Sequence, residues 1–157
     1  MMHENFISKN EQKNLIQWAY KEECRLRINY NGPHRYFNKL TKLTDNNVVF
    51  DIKDRIIKTF NIHTFKLEPG LEDWLGMIKN GGYVHLHNDP QSLGEHHRFN
   101  VIVQLPKEGG MNIYNGEELV VKERMLLRYR ADLHVHGTTK VIGDRHRINL
   151  SFGFLNM

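Results

Sequence analysis

From about residue 63 onward the chain breaks into short alternating or apolar segments separated by strong turn signals, and this pattern limits the fold more than any other feature. Candidate strands cover 63–67, 74–79, 82–87, 97–105, 110–114, 118–122, 124–130 and 145–154. The breaks fall at Pro69-Gly70, Gly81-Gly82, Pro90, Pro106, Gly109-Gly110 and Asn115-Gly116. The Asn-Gly pair supplies the two positive-φ residues that a type I′ hairpin turn requires. In 97–105, Phe99, Val101, Val103 and Leu105 alternate with Arg98, Asn100, Ile102 and Gln104, so one face is apolar and the other, apart from Ile102, is polar. Many short strands at this spacing predict a sandwich or barrel.

The first sixty residues read as helical. Ser8-Lys9-Asn10-Glu11 fits a capping box, and Leu15, Trp18 and Ala19 follow at helical spacing. A second helix is predicted from Val48 to Phe60, with Val49, Ile52, Ile56, Ile57 and Phe60 on one stripe. Both stripes need a surface to cover, and the outside of the β unit provides one. With 157 residues the chain can bury one core, so 1–157 reads as a single domain. Residues 1–62 are its mainly helical support and 63–157 its β core. The segment holding Tyr30, His34, Tyr36, Phe37, Lys39 and Lys42 reads as a surface loop between the helices, or alternatively as a basic, aromatic platform for nucleic acid.

Composition narrows the class. Hydrophobic residues make up 39% and charged residues 25%, with a net charge of +4, as in an ordinary water-borne domain. No stretch approaches the roughly 20 apolar residues of a membrane span. Cys24 is the single cysteine, so no internal disulfide forms, and a cytoplasmic setting is the default expectation. Lys and Arg are dispersed, which permits an anionic partner without demanding one. Of the ten histidines, seven follow residue 84.

That skew points to Gly81-Gly82-Tyr83-Val84-His85-Leu86-His87-Asn88-Asp89-Pro90. In a strand, residues i and i+2 share a face, so His87 and Asp89 can present an imidazole and a carboxylate to one ion. His-x-Asp by itself is a weak signal, and its rival is a surface turn before Pro90. A third ligand must come from elsewhere, and His134 or His136 can supply it. Two His and one carboxylate on one face of an octahedron leave three positions open, as non-haem iron oxygenases require. In Arg145-His146-Arg147-Ile148-Asn149-Leu150-Ser151-Phe152, Arg147, Asn149 and Ser151 share one face. An inward guanidinium is costly unless an anion meets it, and it can grip a carboxylate with two parallel hydrogen bonds. The rival is an edge strand with its arginines in solvent. His85 shares the parity of His87 and reads as a core or pocket-lining residue. His96-His97 fall in an expected polar loop, 92–98, and read as solvated.

The order His-x-Asp, distal His, then Arg-x-Asn on a late strand resembles the iron(II)- and 2-oxoglutarate-dependent oxygenases over residues 74–154. The resemblance implies a double-stranded β-helix core, jelly-roll or cupin-like, behind the helices. It also implies His87, Asp89 and His136 as iron ligands, 2-oxoglutarate and O₂ as co-substrates, and no catalytic side chain beyond the metal ligands. The spacing of His136-Gly137 to Val141 and Gly143 is similar to the family's and favours His136 over His134. Arg98-Phe99-Asn100 and the following Pro106-Lys107-Glu108-Gly109 resemble the aspartyl/asparaginyl β-hydroxylases, where the Arg and the polar residue two places on help hold the co-substrate; this chain has Asn100 where that group has His. Those hydroxylases typically lack the metal-binding Asp, whereas the prolyl-hydroxylase-like members keep it and match the approach from Gly81 to Asp89 better. Gly143-Asp144-Arg145 resembles the Gly-x-Arg of the prolyl-hydroxylase-like group and makes Arg145 a rival anchor. Asn149-Leu150 favours Arg147, with Asn149 as its helper. The ending is also similar to the Arg-x-Asn-Leu-Thr-Phe of the alkylation-repair demethylases, although Gly153 stands where those carry a further Arg. The implied activity is hydroxylation of an amino-acid side chain in a protein, a peptide or a free amino acid. Demethylation of nucleic acid and ligand binding by a non-catalytic cupin-like protein are the alternatives.

Overall fold

A computed structural model of the chain describes residues 1–63, 66–67, 72–89 and 93–156. The expected turns at Pro69-Gly70 and Pro90, and Ser92 at the head of the expected polar loop, lie outside the described residues. In chain order the elements are β1 (Met2–His3), α1 (Lys9–Glu22), β2 (Arg27–Ile28), β3 (Arg35–Lys39), α2 (Asn47–Phe60), β4 (Lys66–Leu67), β5 (Trp74–Ile78), β6 (Glu95–Gln104), β7 (Glu108–Gly109), β8 (Asn112–Tyr114), β9 (Glu117–Glu118), β10 (Leu126–Arg130), β11 (His136–Thr138), β12 (Val141–Ile142) and β13 (Arg147–Asn156).

Helix α1 starts at the predicted capping box. The Ser8 hydroxyl accepts from the Glu11 N–H at 3.1 Å and the Glu11 carboxylate accepts from the Ser8 N–H at 2.8 Å. Helix α2 is capped by Asn46, whose side chain accepts from the Val48 N–H, and ends at Asn61 in the left-handed region. Leu15, Trp18 and Ala19 of α1 and Val49, Ile52 and Ile56 of α2 are buried in one core with the large sheet. No helix among the described residues is long and apolar enough to cross a membrane.

The large antiparallel sheet runs β1-β10-β6-β13-β5-β3-β2, with β4 also paired to β13. Period-two alternation divides its faces. On β13, Ile148, Leu150, Phe152 and Phe154 enter the helix-side core, as do Phe99, Val101 and Val103 of β6. Arg147, Asn149 and Ser151 point the other way. Ile102, the apolar exception on the polar face of β6, is fully buried in a second core with Leu105, Val121, Met125 and Leu127. Opposite lie the β11-β8-β9 sheet and the β12-β7 pair. The Asn115-Gly116 turn joins β8 to β9 with both residues at positive φ, 49° and 83°, as predicted. This is a double-stranded β-helix, a jelly roll backed by two helices.

Three expectations need correction. The segment from Tyr30 to Lys42 is only partly loop: Tyr30 and His34 lie in the turn between β2 and β3, but Tyr36, Phe37 and Lys39 are on β3, and the two strands extend the large sheet beyond β5. No apolar stripe announces β3, because its inner face lines a polar cavity. The segment 82–87 is not a regular strand. Gly81, at φ 81°, breaks its pleat, although the Gly81 N–H donates to Val141, His85 to Asn31 and His87 to His136. His96 and His97 are buried members of β6 and not solvated loop residues.

Candidate metal centre and its pocket

His87, Asp89 and His136 come together so that their ligand atoms all lie within 4.8 Å of one another. Backbone pairing sets this up. His87 and His136 form an isolated antiparallel bridge, with reciprocal N–H to carbonyl bonds of 3.0 and 2.8 Å, and the Asp89 N–H donates to Ala131 at 2.8 Å. His87 Nδ1 lies 2.7 Å from the His85 carbonyl and His136 Nδ1 lies 2.9 Å from the His134 carbonyl. A carbonyl only accepts, so each Nδ1 carries a hydrogen and Nε2 is the nitrogen each ring would offer to an ion, in place of the hydrogen bond His87 Nε2 makes to Asp89. Both Nε2 atoms face the Asp89 carboxylate, at 3.1 and 3.9 Å.

The charges are consistent with a cation site. Burial would raise the Asp89 carboxyl, but the His87 hydrogen bond and the nearby imidazoles outweigh it and hold the pKa below its ordinary value. The hydrogen bond to Asp89 raises His87, while burial lowers His136. His134 is not part of the cluster. Its Nδ1 lies 3.2 Å from the Arg130 carbonyl and its ring packs on Tyr114. His85 is exposed and contributes its carbonyl, not its ring, to the centre, which corrects the expectation of a core or pocket-lining side chain.

The triad lines a cavity of about 680 Å³ between the sheets, within the ordinary range for ligand sites. Arg147 lies on its floor, 3% exposed. Its Nε donates to the Gly110 carbonyl at 2.9 Å, Nη1 to Asn149 Oδ1 at 3.0 Å and Nη2 to Asn112 Oδ1 at 2.8 Å. All three acceptors are neutral, and burial pulls the guanidinium pKa down to about 10. Gly110 sits at φ 66°, and a Cβ there would come within 2.9 Å of the Pro106 ring and 3.3 Å of Arg147 Cδ. The turn therefore needs glycine to bring its carbonyl to the guanidinium. Arg98 and Asn100 line the same cavity. Arg98 Nε donates to His96 Nε2 at 3.1 Å and Nη1 reaches Ser151 Oγ at 3.5 Å. Asn100 Nδ2 donates to the Tyr129 hydroxyl at 2.9 Å, and Asn100 Oδ1 is buried without a partner among the described residues. Burial raises the Tyr129 phenol to about 12, so it stays a hydrogen-bond donor. Arg145 takes no part in the cavity; it bonds Glu123 and the Leu105 carbonyl.

The sequence reading missed Arg35, Trp74, Asn112 and Tyr129, which all line the cavity. For Arg35 the inward positions of β3 are Arg35, Phe37 and Lys39, a mixed set that does not mark a strand. For Asn112 and Tyr129 nothing local distinguishes a pocket residue from a surface one.

No protein-family model and no curated protein matches the sequence. Solved structures match in three dimensions. A viral collagen prolyl hydroxylase from Paramecium bursaria Chlorella virus-1, solved as a 2-oxoglutarate complex, superposes with a TM-score of 0.75 at 14% identity, over 99% of this chain and 96% of that one. HygX from Streptomyces hygroscopicus, solved with nickel, 2-oxoglutarate and hygromycin B, gives 0.73 at 13% identity, over 100% and 82%. A prolyl hydroxylase from Trichoplax adhaerens, in complex with a hypoxia inducible factor peptide fragment, gives 0.73 at 11% identity, over 99% and 82%. The chain therefore has the double-stranded β-helix fold that these proteins share.

Proposed function

We propose that the protein is an iron(II)- and 2-oxoglutarate-dependent oxygenase that hydroxylates an amino-acid side chain, in a protein, a peptide or a free amino acid. The observation that carries this reading is one cavity holding both halves of such a site. The two imidazoles and one carboxylate converge and could occupy one face of an octahedral ion, and Arg147 is a buried cation whose acceptors among the described residues are all neutral. A centre of two His and one carboxylate suits iron(II), and a dicarboxylic oxo acid suits the space between it and the guanidinium.

In this reading His87, Asp89 and His136 hold the ion, and the His85 and His134 carbonyls keep both rings in the ligating tautomer. Arg147 and Asn149 take the far carboxylate of the oxo acid, with Arg98 and Asn100 beside it. Leu127 of the second core, Leu119 packed against it and the Trp74 ring give the cavity apolar walls. With metal, oxo acid and O₂ bound, the centre supplies the oxidant that converts a substrate C–H to C–OH while 2-oxoglutarate leaves as succinate and CO₂. The solved relatives in fold support the chemistry by analogy, since two carry 2-oxoglutarate and one a peptide.

The test is an anaerobic titration with iron(II) and then 2-oxoglutarate, followed in air by succinate release against peptides, amino acids and modified oligonucleotides. Saturable binding of both, with succinate release stimulated by a peptide or amino acid, is the expected result. Binding of neither would leave a cupin-like binding protein. Turnover on oligonucleotides alone would make it a demethylase.

A further inference from the structure

Besides Arg147 and Arg98, a further buried cationic group stands in the cavity, on strand β3. Arg35 is 8% exposed, and its Nη1 has no hydrogen-bond partner among the described residues. Its guanidinium carbon sits 5.6 Å from the centroid of the Trp74 ring. Trp74 can take that position because residue 76 is glycine. A Cβ there would lie 2.6 Å from the indole and 3.2 Å from Asn149 Oδ1, so the ring covers the floor over Gly76, beside the Arg147–Asn149 pair. Arg35 and Arg147 both lie opposite Ile78, on either side of β5, so their Cα atoms are about 10 Å apart across the sheet.

Charge neutrality then asks for a third participant. A divalent ion on Asp89 carries one net positive charge. With the dianion of 2-oxoglutarate and the Arg147 cation, the sum is zero. Two buried guanidinium groups of the cavity remain, those of Arg35 and Arg98, and of the two it is Arg35 that has a buried nitrogen, Nη1, with no hydrogen-bond partner among the described residues. Arg98, also over Trp74 at 6.0 Å, already bonds His96 and Ser151.

We propose that Arg35 receives a carboxylate of the prime substrate, seated at the edge of the Trp74 indole, so that the substrate is an acid: a free amino acid or an acidic side chain. The inference rests on the oxygenase reading and narrows its substrate class. A carboxylate entering the cavity can take two parallel bonds from the guanidinium, whose Nη1 is otherwise unpartnered among the described residues, while the indole face holds another side of that cation. A neutral substrate would leave the buried charge unmatched, so the same residue selects against amides and esters.

The experiment uses the full chain loaded with nickel(II), which replaces iron and prevents turnover, and saturated with 2-oxoglutarate. Calorimetric titrations compare free L-amino acids with their carboxamides, and peptides with internal Glu or Asp with their Gln or Asn counterparts. The wild type is expected to bind at least one acid tenfold or more tightly than its amide; which pair shows the preference tells a free amino acid from an acidic side chain. Arg35→Met, which keeps the apolar stem, should bring that ratio to about one, and Arg35→Lys should retain part of it. Both variants should bind 2-oxoglutarate within about threefold of the wild type. A tenfold loss of 2-oxoglutarate affinity in both variants would overturn the proposal by assigning Arg35 to the co-substrate. Equal affinity of the wild type for every acid and its amide would overturn it too. A wild type that takes up nickel but no 2-oxoglutarate would overturn the oxygenase reading itself, and this inference with it.

Discussion

Replacing Arg147 with Met tests the pocket's electrostatics, because stability and ligand affinity should respond differently. Lowering the guanidinium pKa from its usual value to about 10 corresponds to roughly 3 kcal/mol of disfavoured charge, at about 1.4 kcal/mol per tenfold change. Arg147→Met removes that cost. It also strands the Gly110 carbonyl, Asn149 Oδ1 and Asn112 Oδ1, each worth about 1–3 kcal/mol if left dry. Two of these acceptors belong to residues that line the cavity, where water can replace the lost donor. The opposing contributions are of similar size, so the ligand-free melting temperature should move by no more than about 5 °C at roughly 2–4 °C per kcal/mol. Binding has no such offset. Loss of a buried charge-assisted pair costs roughly 2–5 kcal/mol, or about 30-fold to several thousandfold in the dissociation constant of 2-oxoglutarate. Arg145→Met is the control, since Arg145 is engaged outside the cavity with Glu123 and Leu105. The assays are calorimetry of 2-oxoglutarate binding to nickel-loaded protein and thermal melts without ligand. An Arg147→Met protein that binds 2-oxoglutarate within threefold of the wild type, or an Arg145→Met protein that loses it, would refute the assignment of the anchor.

His87→Ala, Asp89→Ala and His136→Ala should each abolish tight metal uptake, measured as bound metal after dialysis, while His134→Ala should keep it; the reverse result for His134 and His136 would move the distal ligand. The Glu11–Arg55 ion pair ties the start of α1 to α2. The Arg55 hydrogen bond lowers the Glu11 carboxyl pKa, against the opposing effect of burial and with help from the Ser8 N–H and the Arg55 charge. A lowered folded-state pKa gives stability that is present above the ordinary carboxylate value and lost as pH falls through the folded one. Glu11→Gln should therefore be less stable than the wild type by up to about 1 kcal/mol at pH 7, a small figure because Arg55 is partly solvated, and the gap should close in acid. A gap unchanged from pH 7 to about pH 3 in denaturant melts would show that the carboxylate charge is not the source.

Local patterns are visible in a sequence because they depend on neighbours in the chain. The Ser8-to-Glu11 capping box, the α2 stripe, the Asn115-Gly116 turn and the two faces of β6 and β13 are of this kind. So are the grouping of His87 with Asp89 and the inward side of Arg147 and Asn149, which follow from a period of two. Other features required the chain to close on itself. The bridge from His87 to His136 spans 49 residues, and it places His136 rather than His134 against Asp89. Parity alone could not separate them, since both have the same phase. Arg145 and Arg147 also share a phase, and the end of β13 separates them in space: Arg147 is within the strand and lines the cavity, while Arg145 lies before it and turns to Glu123. Strand β3 and its Arg35 were illegible for a related reason. A strand whose inner face lines a polar cavity carries no apolar stripe, so that face looks like a solvated loop until β5 and β2 pair with the strand and the opposite sheet covers it. A sequence read alone records which side chains can share a face, but burial, and with it the cost of an unmatched charge, is set by what the fold places on the other side.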